Sequence, residues 1–205
     1  MLTTWTSAWG DGLQRHFAII GHDARPSGEL RLNDLTGGSG RVDVLARAVN
    51  AALFVSHGIR TDSSITLHLM GGGTPRRVRF DGSSLRGVHP DERSISGHIR
   101  SIMKNPVPPI GAWQGASAGI THSGGSMEDT LREWQREGVT SCVLDTRGDG
   151  LGQLDGSPVG FVLSDHLPFT DDENAVLEGC QKVSLGTDWL QGHACIAIVH
   201  HLLDV

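Results

Sequence analysis

The chain has 205 residues, 38% hydrophobic and 20% charged, which is the composition of a folded globular protein. It contains no run near the ~18–20 apolar residues of a membrane span and no basic-then-apolar leader in Met1 to Gln14, so a cytoplasmic protein without a membrane partner is expected. The net charge of −6 is uneven: residues 1–104 hold 13 Lys and Arg against 9 Asp and Glu, residues 105–205 hold 4 against 14, and this asymmetry points to a front half that faces a polyanion.

Met1 to Arg15 shows no periodicity and is expected to be a lead-in outside the fold, leaving 16–205 as one domain. His16–Gly21 is an apolar strand. Thr36–Gly40 then opens a helix with Val42, Leu45, Ala46, Val49, Ala52 and Leu53 at helical spacing, for which Ser39 is the predicted N-cap. Ser64–Met70 and Arg77–Phe80 are strand-like runs joined by the loop Gly71–Pro75. Asp91–Lys104 is helical, with Ile95 and Ile99 on its buried stripe, and the Pro- and Gly-rich stretch 105–119 cannot extend it. A helix over Ser126–Glu137, strands at 141–144 and 159–163, a helix over 171–180, a strand at 183–185 and a helix over 193–203 follow. Short continuous apolar strands alternating with helices predict an α/β fold, a mostly parallel sheet covered on both faces.

Four segments could carry chemistry. The strand at 183–185 empties into a polar loop containing Gly186 and then a helix, so loop amides and a helix N-terminus converge where a small ligand could sit. Gly37-Gly-Ser-Gly-Arg41 at a helix start suits an anion, or it simply turns the chain. Val55–Asp62 places His57, Arg60 and Asp62 in one short connection, and His89–Arg93 is similar; both compositions are also those of solvated loops. Cys195 near His193 admits a nucleophile reading, set against that of a small buried residue. The three cysteines, Cys142, Cys180 and Cys195, fit no disulfide framework and are expected to be free. His200 and His201 are expected on the face of the last helix, and no metal site is assigned.

Five segments taken in order, Gly38–Arg47, Phe54–Asp62, Val88–Ser94, Val162–His166 and Val183–Asp204, resemble the archaeal tRNA pseudouridine-54 N1-methyltransferases of the SPOUT superfamily. The resemblance covers residues 16 to 204. It implies a C-terminal trefoil knot, a homodimer, and S-adenosylmethionine held by Leu144, Ser164, the loop of Leu185, Gly186, Thr187, Asp188, Trp189 and Leu190, and Cys195. On that resemblance Asp62 is expected to accept the N1 proton, Arg60 to orient the base, and Arg41 and Arg47 to contact RNA phosphate, with tRNA as the expected substrate. Ser164 stands where the family usually has Gly, and the family's loop Pro is absent. The alternatives are therefore the same chemistry on another RNA such as ribosomal RNA, or a knotted RNA-binding protein with impaired transfer.

Overall fold

The structure is a computed structural model that describes residues 14–153 and 158–204. The predicted lead-in lies outside the described residues as far as residue 13, whereas Arg15 opens the first strand. The strands are β1 (Arg15–Gly21), β2 (Phe54–Val55), β3 (Gly58–Ile59), β4 (Ser63–Leu69), β5 (Arg76–Asp81), β6 (Gln114–Ser117), β7 (Ile120–Gly124), β8 (Thr140–Asp149), β9 (Val159–Ser164) and β10 (Gln181–Val183). The α-helices are α1 (Val42–Leu53), α2 (Glu92–Met103), α3 (Met127–Glu137), α4 (Asp171–Leu177) and α5 (Gly192–Leu203). Eight strands form one sheet in the order β10-β8-β9-β1-β4-β5-β7-β6, while β2 and β3 make a small separate hairpin.

The sheet has two characters. β10, β8, β9, β1 and β4 run parallel, as the continuous apolar runs predict. β5, β7 and β6 continue it antiparallel. The parallel strands present alternate residues to two cores. On one face Phe17, Ile19, Ile65 and Leu67 meet α1, α2 and α5, and on the other Ala18, Ile20 and Val162 meet Met127 and Trp134 of α3 and Leu177 of α4. Gly160 is needed at its place in β9 because an added Cβ would fall 2.5 Å from the Trp134 ring.

Several expectations are corrected. Ser39 does not cap α1: its hydroxyl exchanges hydrogen bonds with the Arg31 backbone, and the cap position is Arg41, in left-handed backbone at φ 58° with no side-chain cap. Asp91 does cap α2, its carboxylate accepting from the Ser94 amide. Neither β6, inside the Pro- and Gly-rich stretch 105–119, nor β7, directly after it, was foreseen. The helix predicted to Cys180 stops at Leu177. His200 is buried, with its ring nitrogens facing an Arg15 guanidinium N–H at 3.0 Å and the Ala52 carbonyl at 3.0 Å, while His201 is exposed.

Candidate functional site

In the parallel half the C-terminal strand ends lie together, the usual place for a ligand in an open α/β sheet. Leu144 follows the last residue of β8 that pairs with β9, where the β8–β10 register jumps from Lys182↔Val143 to Val183↔Asp149 and residues 144–148 bulge from the ladder. The bulge is tied to the next loop, because the Ser184 amide donates to the Asp149 carbonyl at 2.8 Å and the Ser184 hydroxyl to the Thr146 carbonyl at 3.4 Å. Ser164 ends β9, and its hydroxyl donates to the Leu167 carbonyl. The start of α5 closes the group: a Cβ on Gly192 would lie 3.5 Å from the Ser164 carbonyl oxygen. Every residue expected to hold the cofactor is thus brought to one end of the sheet.

The local chemistry suits S-adenosylmethionine. Gly186 takes φ 122°, a backbone open only to glycine at low cost, and it turns the loop. Among the described residues the amides of Thr187 to His193 make no backbone hydrogen bond, so they and the α5 N-terminus can serve a ligand's acceptors. Leu144 and Leu185 pack against the core as half-buried apolar walls suited to a flat ring, and Trp189 is 92% exposed. The Cys195 thiol lies 3.8 Å from the Leu190 carbonyl, and burial raises its pKa. A thiol held protonated in this way is a poor nucleophile, which leaves it a supporting role. All three cysteines are free.

Beside these loops lies a cluster that the sequence did not reveal. His22, directly after β1, has Nδ1 at 2.9 Å from the Asp165 carboxylate and Nε2 at 3.0 Å from Glu173 of α4. Asp165 is almost fully buried and also accepts from the His22 and Leu167 amides at 3.0 Å, with His166 Nδ1 at 3.3 Å. Burial alone would lower the His22 pKa, but the two carboxylates together raise it above its ordinary value. The cluster fastens the β1–α1 loop to the β9–α4 loop. The strand-end pairs Gly21-His22 and Ser164-Asp165 were the only signal in the sequence.

Asp62 and Arg60 lie at the opposite end. β1 aligns Arg15 with Ser63 and Val159, and Ile20 with Ser164, so at roughly 3.3 Å per residue about 20 Å of chain along the strands separates Asp62 from Ser164. Arg60 pairs with Asp204 at 2.6 Å, and Asp62 lies 3.9 Å from Arg15. The hydrogen bond from Arg60, opposed by burial and reinforced by Arg15, lowers the Asp204 pKa to about 2. Within one chain the proposed catalytic pair therefore does not meet the cofactor loops. Arg41 and Arg47 are also engaged, both pairing with the buried Asp43 carboxylate, and Arg47 additionally with Glu92 at 3.4 Å.

The front-half arginines are only partly available to a polyanion. Arg76 and Arg77 are fully buried. Arg76 donates to the Ile102 and Asn105 carbonyls, and Arg77 joins Arg79 on the Glu133 carboxylate, at 2.9 Å and 3.1 Å. The Arg77 and Arg79 guanidiniums lie 4.8 Å and 4.1 Å from the centre of the Trp113 indole. These cations hold the antiparallel half together.

A family model described as "Putative SAM-dependent RNA methyltransferase" matches residues 14–205. The tRNA (pseudouridine(54)-N(1))-methyltransferase of Haloferax volcanii is 38% identical over 195 residues, covering 93% of this chain and 96% of that protein. The protein of the same name from Haloarcula marismortui is 40% identical over 194 residues, with 93% and 96% covered. The crystal structure of Archaeoglobus fulgidus Nep1 bound to S-adenosylhomocysteine superposes with a TM-score of 0.65 at 12% identity, covering 94% of this chain and 98% of that one, a likeness of fold. With strand-end loops fit for the cofactor and relatives matched over nearly their full length, the chain belongs to the tRNA (pseudouridine(54)-N(1))-methyltransferase family.

Proposed function

We propose that the protein transfers the methyl group of S-adenosylmethionine to N1 of pseudouridine in tRNA, at position 54 as its relatives' names specify, and that it works as a cytoplasmic homodimer. The observation that carries the reading is the convergence of the β8 bulge, the Ser164 loop and the 184–191 loop on the start of α5. Leu144, Ser164, Leu185–Leu190 and Cys195 would hold the cofactor, which supplies an electrophilic methyl on a sulfonium. We further propose that the C-terminal segment is threaded into a trefoil knot in one domain spanning 16–205. No helix of the described residues is long and apolar enough to cross a membrane.

The protein's own part is alignment and proton removal. A carboxylate within hydrogen-bond reach of the imide N1–H can accept its proton while a guanidinium balances the charge that develops on the ring. Asp62 and Arg60 are assigned these roles, and the dimer resolves their distance from the cofactor. α5 starts beside Ser164 and ends at Asp204, which pairs with Arg15 and Arg60, so its ~18 Å connects the two ends of the sheet. A two-fold axis across the middle of α5 sets the Asp62 end of one protomer beside the cofactor loops of the other. The outer face of α5 suits that contact, with Ala197 and Leu202 exposed, Ala194 and Ile198 half-buried, and exposed Val55 nearby in chain order after α1. Arg41 and Arg47 contact RNA only by sharing their charge with Asp43.

Calorimetric titration with S-adenosylmethionine and S-adenosylhomocysteine, followed by methyl transfer to pseudouridine-containing tRNA, tests the reading. Binding at one site per subunit and transfer to N1 are expected. Binding without transfer to tRNA would move the substrate to another RNA such as ribosomal RNA, and no binding to either would leave an RNA-binding protein.

A further inference from the structure

A groove of ≈590 Å³ runs between the outer face of α2 and Leu32 in the long β1–α1 loop, and no residue of the cofactor loops lines it. Its floor is made of small groups, Ser94, Gly97 and Ser101, and Asp91, Arg93 and His98 complete the lining, Asp91 with its carboxylate taken up by the Ser94 amide. Arg93 lines the groove, and at 100° per residue Arg100 and Lys104 follow it on the same side of α2 beyond the lining, all three exposed, over ~16 Å of helix. Among the described residues none of the three has a carboxylate partner; Arg93 donates only to the Asn33 amide oxygen at 3.0 Å. The acids nearby are already engaged, Asp91 in capping α2 and Glu92 with Arg47.

Gly97 adds a second, independent observation. It sits in the middle of α2, where glycine weakens a helix relative to alanine, yet a Cβ there would meet nothing within 4 Å. The fold does not require the glycine. Its absent side chain leaves the floor open to close approach from outside.

We infer that this groove and the adjoining side of α2 are a docking site for the sugar-phosphate backbone of RNA, with Arg93 in the groove and Arg100 and Lys104 beyond it contacting phosphates along the strand. Unpaired exposed cations beside a small-residue floor fit a polyanion that lies against the helix, and they fit it better than Arg41 and Arg47, whose charges are matched by Asp43 and Glu92. The β1–α1 loop forms one wall of the groove and begins at His22 and Asp23, which touch the β9–α4 loop, so bound RNA and the cofactor end share a structural element. The inference rests on the RNA-methyltransferase reading above.

The test is tRNA binding followed by fluorescence anisotropy from 50 to 200 mM salt, with S-adenosylhomocysteine titrated in parallel. In the variant combining Arg93→Ala, Arg100→Ala and Lys104→Ala, the slope of log affinity against log salt should flatten by roughly 0.7–0.9 per lost phosphate contact, with cofactor affinity unchanged. Gly97→Glu places a carboxylate in the groove on a better helix former, so it should weaken tRNA binding without lowering the melting temperature. Wild-type slope and affinity in both variants would overturn the groove while leaving the methyltransferase reading intact. Failure of the wild-type protein to bind tRNA would overturn the RNA reading and the groove with it.

Discussion

His22 makes the cofactor end of the sheet sensitive to pH. Charged, its ring donates to Asp165 and Glu173 at once; neutral, it keeps one N–H and turns a lone pair toward the other carboxylate. Because the folded pKa is raised, the stabilisation is complete below the unfolded value of about 6.5 and is lost as pH climbs through the folded value. One charge-assisted hydrogen bond is worth about 1.5–3 kcal/mol. At ~2–4 °C per kcal/mol for a chain of this size, the melting temperature should fall by about 3–12 °C more than in a control without the titration. His22→Gln supplies that control, since its amide does not titrate and the other histidines are unchanged. Melting curves from pH 5.5 to 9 should show wild type losing stability relative to the variant as pH rises, and S-adenosylhomocysteine affinity should weaken in step because Asp165 adjoins Ser164. Parallel pH profiles for the two proteins would refute the argument.

Three further outcomes are expected. Asp62→Asn mixed with Ser164→Trp, each inactive alone, should recover about one quarter of wild-type transfer, since half of randomly paired dimers are hybrids with one intact site; no recovery would place both residues in one chain's site. Cys195→Ala should retain turnover with at most a few-fold loss in cofactor affinity, because burial holds the thiol protonated, and abolished turnover would contradict this. Gly160→Ala should cost about 1–3 kcal/mol by thermal melting as the new methyl meets Trp134, and an unchanged melting temperature would show that the indole is free to move.

The parallel half was legible because Phe17–Ile20 and Phe161–Leu163 are continuous apolar runs between helical periods, a pattern that few folds other than a covered sheet can bury. The antiparallel half was not. β6 is an edge strand, Gln-Gly-Ala-Ser, with every residue exposed, and β7 buries His122 and Ser123 in place of an apolar set. His200 illustrates a similar limit: the His-His pair looks like surface, but the helical stripe through Ile196 and Val199 carries His200 inward against Arg15. The cofactor loop could be read because strand, Gly186 and helix are adjacent in sequence. Sequence adjacency could not tell which end of the sheet Asp62 occupies, a fact set by the pairing of β1 with β4 and β9. The His22 cluster joins residues 143 and 151 positions apart, beyond the reach of any local pattern.

The bare indole of Trp189 gives the protein an optical reporter of its own. Among the described residues the other two tryptophans are sheltered, Trp134 in the core and Trp113 under two guanidiniums, so their emission should change little when the 184–191 loop is filled. Trp189 is the indole in that loop that passes from water to a drier setting if the loop folds over a ligand. Occupancy could then be followed by a blue shift in intrinsic fluorescence, without a label and at protein concentrations far below those calorimetry needs.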